Sequence, residues 1–322
     1  MTLLTLFLAI LLGLALLTWG ADRFVDGAVA YARNHNISPL IIGLTIIAFG
    51  TSAPEILVSA TASLSGEPDM AIGNALGSNI ANIGLVLGVT ALVAPLPLKR
   101  IVLLRELPIL LASTVLAYPL FTDGSLGRLD GIILLAMMAV ALWLLSRKAG
   151  GAPPELTEEV NEAPIYSSAR AMTWTLIGLT ILIAGSRLLV WGAVGLANYL
   201  HVDPLIIGLS VVAVGTSLPE MAASLASAIK GHHDVALGNI IGSNLFNLLV
   251  VAAMPALIAP TPISESVRLR DYGTMALLTF LLAGFAYLMP KKGKLARLEG
   301  GILLAVYLGY SLLLYQAARA SG

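Results

Sequence analysis

Displacing the sequence by 165 residues, so that Glu55 falls on Glu220, aligns SPLIIGLTIIAFGTSAPE with DPLIIGLSVVAVGTSLPE and AIGNALGSNIAN with ALGNIIGSNLFN without a gap. The same displacement sets Arg105-Glu106 on Arg270-Asp271, and RLDG (128–131) recurs as RLEG (297–300) after a short slip. The chain is therefore two copies of one unit. What each copy can fold into is limited by its apolarity. With 58% hydrophobic and 11% charged residues and a mean hydropathy of +0.91, the 322 residues lie outside the range of a soluble domain. Crossing roughly 30 Å of hydrocarbon takes about 20 apolar residues. That ruler predicts ten helices, near 2–32, 39–64, 70–94, 102–121, 126–147, 171–199, 204–229, 235–259, 271–289 and 297–317. Five spans per copy is an odd number, so the second copy enters the membrane from the opposite side. The expected fold is an all-α polytopic membrane protein of two inverted five-helix repeats, with a substrate site where the repeats meet.

The polar stretch RKAGGAPPELTEEVNEAPIYSSAR (Arg147 to Arg170) reads as a linker. It divides the chain into a first repeat (1–147), a cytoplasmic connection (148–170) and a second repeat (171–322). The first segment has no basic n-region and no evident cleavage site, so it is predicted to be retained as a helix. If the N-terminus is outside, the inner loops hold twelve basic residues, among them Arg33, Lys99, Arg147, Lys230 and Lys291. The outer loops then hold Arg128, Arg268, Arg270 and Arg319, an imbalance that predicts both termini outside. Arg23, placed within the first span, is expected to snorkel to an interface. Asp130 and Glu299, each just after an Arg at a helix start, are expected to complement the helix dipole. Zero net charge argues against a nucleic-acid partner, and the absence of cysteine excludes thiolate chemistry.

Pro54 and Pro219 stand where helix interiors are predicted, each followed at once by a glutamate. Proline lacks an N–H and clashes with the carbonyl four residues back, so a broken helix with freed carbonyls is expected beside Gly50 and Gly215. Irregular backbone at membrane depth needs protein or a water-filled cavity around it. On helical spacing Ala48, Thr51, Ser52, Glu55 and Ser59 share one face, and Ala213, Thr216, Ser217, Glu220 and Ser224 share its copy. In the next helix Asn74, Ser78 and Asn82 recur every fourth residue, as do Asn239, Ser243 and Asn247. Hydroxyls, amides, carbonyls and two carboxylates suit a hard cation such as calcium, which takes six to eight oxygens. The smaller sets leave room for monovalent ions. No cysteine or histidine lies on these faces, which argues against zinc, copper or iron.

These paired motifs, GTSAPE…GNALGSNIAN and GTSLPE…GNIIGSNLFN, resemble those of the calcium/cation antiporter superfamily, most of all its prokaryotic sodium/calcium exchangers, and the resemblance spans the whole chain. The resemblance implies a secondary antiporter, not an enzyme and without a cofactor, that exchanges sodium for calcium by alternating access in a prokaryotic plasma membrane. Its first and sixth spans would slide against the other eight. It implies calcium ligation by Thr51, Glu55, Thr216 and Glu220. Sodium, or shared, ligation falls to Ala48, Ser52, Ser78, Asn82, Ala213, Ser217, Ser243 and Asn247. Some relatives carry Asp where this chain has Asn247, so only two carboxylates face this site. A calcium/proton exchanger of the same fold is the alternative; the serine and asparagine set favours sodium. The expected partners are the two ions and the lipid bilayer, with the chain acting as a monomer.

Overall fold

A computed structural model describes residues 2–36, 50, 52–98, 102–146, 164–229, 233–288 and 293–321. Nine described helices are long and apolar enough to cross a membrane. They are α1 (Leu3–Asn34), α3 (Pro68–Val93), α4 (Val102–Phe121), α5 (Arg128–Ser146), α6 (Ser168–Leu200), α7 (Pro204–Ile229), α8 (Ala236–Ile258), α9 (Val267–Leu288) and α10 (Arg297–Arg319). Between the first two lies α2 (Ala53–Leu64), the described part of the span predicted over 39–64. The predicted limits of α4 and α7 coincide with those observed. The sixth span starts three residues early, at Ser168, because the Ser167 hydroxyl accepts a hydrogen bond from the Arg170 amide and caps it.

The ninth span departs most from expectation. Asp271, predicted to open it, lies inside a π-helical turn over Val267–Tyr272 and is fully buried. Charge is tolerated there because the Arg270 guanidinium grips Asp271 at 2.6 and 2.9 Å and the Tyr310 hydroxyl donates to it at 2.9 Å. Arg23 likewise does more than snorkel. Its guanidinium lies 5.6 and 5.7 Å from the Trp19 and Trp174 rings and pairs with Asp26 at 3.1 Å. Asp130 and Glu299 reach back to the amides of Gly127 and Ala296 at 2.7 and 3.1 Å, completing the first turns of α5 and α10.

The longest contact in the molecule joins α1 to α6. Along α1 a glycine recurs every seventh residue, at 13, 20 and 27, and along α6 at 178, 185 and 192. A Cβ on Gly13 would sit 2.8 Å from the Leu189 amide, on Gly20 3.0 Å from that of Leu182, and on Gly27 2.5 Å from that of Thr175. Rising numbers on one helix meet falling numbers on the other, so the two run antiparallel, backbone against backbone. Gly27→Leu is expected to force them apart, costing about 1–3 kcal/mol or more. A fall of several degrees in the melting temperature of the detergent-solubilised protein would show this, and an unchanged melt would refute the close approach.

Two short ribbons tie the copies together at their ends. β1 (Leu96–Pro97) pairs antiparallel with β4 (Lys294–Leu295), and β2 (Ser125–Leu126) pairs antiparallel with β3 (Thr261–Pro262). Each ribbon takes one strand from each copy. The apolar core of α3, α4, α5, α8, α9 and α10 fills the space between them, with Tyr272 donating across it to the Thr114 carbonyl at 2.6 Å.

Candidate functional site

The helix carrying each glutamate begins or bends at the preceding serine. Ser52 leaves helical geometry with ψ near 3° and Pro54 occupies the first turn of α2. In α7 the bend falls at Ser217, with ψ at 0°, after a π-helical turn over Gly208–Val212. The expected clean break is thus a kink: the Ser217 amide still donates to the Ala213 carbonyl at 3.1 Å, which also accepts from the Thr216 hydroxyl at 3.4 Å. A π turn also opens in α3 over Ala81–Leu87 and in α8 over Asn247–Val251, setting Asn82 and Asn247 in matching turns. Such turns project side chains off the regular helical face and are frequent at functional sites. The helices cross over between copies. α2 packs on the π turn that carries Asn247, and α7 packs on the one that carries Asn82.

Ser52, Glu55, Ser78, Asn82, Ala213, Thr216, Ser217, Glu220, Ser243 and Asn247 are all buried. Ala48 and Thr51 lie outside the described residues. The Glu220 charge acts on Glu55, and among the described residues neither carboxylate has a hydrogen-bond partner. The hydroxyls of Ser52, Ser217 and Ser243 and both amide atoms of Asn82 and Asn247 are unpartnered as well. Buried polar atoms are ordinarily hydrogen-bonded, and two buried carboxylates without a cation are costly. Such a set of oxygens fits a cation as its substrate.

Asn74 has a different part. Its amide donates to the Glu55 carbonyl at 3.1 Å and to the Ser59 hydroxyl at 2.9 Å, while its oxygen accepts from the Thr216 hydroxyl at 3.3 Å. Ser78 meets the same Thr216 hydroxyl at 3.5 Å. Asn74 thereby ties the first copy's motif helix to the second copy's. Its recurrence with Ser78 and Asn82 marked it in the sequence as oxygen-bearing, but nothing there distinguished a bracket from a ligand. Asn74→Leu removes three buried hydrogen bonds and is expected to destabilise the protein by roughly 1–3 kcal/mol, read as a lowered melting temperature without calcium. Close packing places Asn74: a Cβ on the neighbouring Gly73 would lie 2.5 Å from the Leu205 carbonyl of α7.

Beyond the site, where α2 turns into α3, Glu67 stands near Asp69 and Asp203. Burial, with the charges of Asp69 and Asp203, raises the Glu67 carboxyl above the usual carboxylate range.

A family model described as sodium/calcium exchanger protein matches residues 5–147 and 170–316. The chain belongs to that family. It is 47% identical to the putative antiporter CaxA of Alkalimonas amylolytica over 96% of this chain and 98% of that protein. It is 40% identical to the inner membrane protein YrbG of Escherichia coli over 94% and 96%. Among solved structures it resembles the sodium-calcium exchanger NCX_Mj soaked with 10 mM Na+ and zero Ca2+, with a TM-score of 0.65 and 34% identity over 95% and 98% of the two chains. Family and fold together make the chain a cation/calcium antiporter, a prokaryotic-type helical membrane protein.

Proposed function

We propose that this exchanger moves calcium against sodium by alternating access, through two inverted five-helix repeats (1–147 and 171–322) joined by the connection 148–170. The observation that carries the reading is the pair Glu55 and Glu220, buried, unpartnered and ringed by unpartnered hydroxyls and amides. Two carboxylates neutralise one calcium ion. Thr51, Glu55, Thr216 and Glu220 would hold it, with Ala48, Ser52, Ser78, Asn82, Ala213, Ser217, Ser243 and Asn247 supplying oxygens to sodium. A proton-coupled exchanger would need the carboxylates but not the surrounding serines and asparagines, whose unpaired oxygens favour sodium.

The inverted arrangement is supported by the antiparallel α1 and α6, by ribbons that take one strand from each copy, and by the two separate stretches matched by the family model. Basic residues favour termini outside and the 148–170 connection inside the prokaryotic plasma membrane, with the chain working as a monomer. The deciding experiment is radiolabelled calcium uptake into proteoliposomes, driven in turn by an outward sodium gradient and by a proton gradient. Sodium-dependent uptake is expected. Uptake driven by protons and indifferent to sodium would make the protein a calcium/proton exchanger.

A further inference from the structure

The repeat leaves one acidic pair outside the central site, at Glu106 and Asp271. Asp271 in the second copy is held by Arg270 and Tyr310. Its counterpart in the first copy, Glu106, stands in the first turns of α4 under different conditions. Among the described residues the buried Oε2 of Glu106 has no hydrogen-bond partner. The adjacent Arg105 does not take it: one terminal nitrogen reaches the Leu144 carbonyl at 3.5 Å, and its Nε is unpartnered. The acid recurs in both copies, but only Asp271 is gripped by the arginine that precedes it.

Where the free oxygen points is informative. A Cβ built on Gly238 would have Glu106 Oε2, at 3.7 Å, as its only heavy-atom neighbour within 4 Å among the described residues. Gly238 sits on the helix that carries Ser243 and Asn247, about 7.5 and 13.5 Å further along at 1.5 Å per residue. Beside it the Nδ2 of Asn239 is also unpartnered. The end of α4 that bears Glu106 follows directly on β1, against which the same helix packs. A free carboxylate, room left by a missing side chain and the ion-bearing helix thus meet at one end of the bundle.

We propose that Glu106 is a cation station on the access path from the face carrying the β1–β4 ribbon, a role that the path from the opposite face lacks because Asp271 is already neutralised. This rests on the antiport reading above. One carboxylate with no other anionic ligand cannot strip a calcium ion of water, so the station holds a partly hydrated cation and raises its local concentration before the central site. The two directions of transport should then differ in their apparent calcium affinity.

The test is calcium/calcium exchange in proteoliposomes, which needs neither sodium nor protons, with the apparent KM for calcium measured separately at each face. Glu106→Gln is expected to raise KM about threefold to tenfold at the β1–β4 face, leave the other face unchanged and retain the maximal rate, with the difference shrinking at high ionic strength. Glu106→Asp, which keeps the charge, should restore most of the affinity. Because Glu106 Oε2 is unpartnered among the described residues, Gln should leave the melting temperature unaltered. No change at either face, or an equal change at both, would overturn the proposal. Wild-type protein unable to exchange calcium would instead sink the antiport reading, and this one with it.

Discussion

Glu55→Gln and Glu220→Gln are each expected to abolish calcium transport. Among the described residues the two carboxylates are buried without hydrogen-bond partners, so a bound dication draws its counter-charge from them. Removing one leaves a net positive charge in a medium that screens it poorly. Breaking a buried charge pair costs roughly 3–5 kcal/mol, which is about two to four orders of magnitude in affinity. Stability should move the other way. Glutamine has nearly the volume of glutamate without the charge, so in calcium-free buffer each variant should melt no lower than the wild type. Added calcium should raise the wild-type melting temperature by mass action and leave the variants where they were. Uptake of radiolabelled calcium together with melts at graded calcium would check both halves. A variant that transports normally would show that the carboxylates do not hold the ion.

Much of this architecture was legible because bilayers restrict the choices. Spans such as 102–121 and 204–229 were read to the residue, since charge or proline marks their ends and a membrane segment must satisfy its backbone within itself. The central oxygens were legible for a related reason. Glu55 and Glu220 recur one residue after a proline at the same place in each copy, which no packing requirement explains. The sequence was less informative where a residue's role depends on its partner. Asp271 was expected at a helix start because an isolated charge belongs at an end, and only the Arg270 and Tyr310 contacts make the interior tolerable. The π turns that carry Asn82 and Asn247 leave no compositional mark. The sevenfold glycine spacing of α1 and α6 was open to view, yet without the partner helix it does not announce which backbones meet. Asn74 and Asn82 share a face and a residue type, but one is a bracket and the other is unpartnered, a distinction made by geometry alone.

Alternating access on this scaffold requires one body to move against another, and the contacts suggest where the division falls. α1 and α6 are locked to each other along their glycine seams, whereas the ribbons join α3, α4 and α5 of the first copy to α8, α9 and α10 of the second. Between the bodies lies a contact of hydroxyls: Thr61 of α2 meets Ser186 of α6 with 2.9 Å between their oxygens. With 2.9 Å between the oxygens the two side chains point at each other, as the partners of a disulfide must. The chain has no cysteine of its own, so the double substitution Thr61→Cys and Ser186→Cys introduces the only thiols. Oxidation is expected to stop at least nine-tenths of calcium exchange, and a reductant to restore it, while each single substitution remains active under oxidising conditions. Calcium should still raise the melting temperature of the oxidised protein, because the link lies outside the ring of site oxygens and arrests movement, not binding. Full exchange with the bridge shown to be closed would mean that α6 and α2 travel together, placing the moving boundary elsewhere in the bundle.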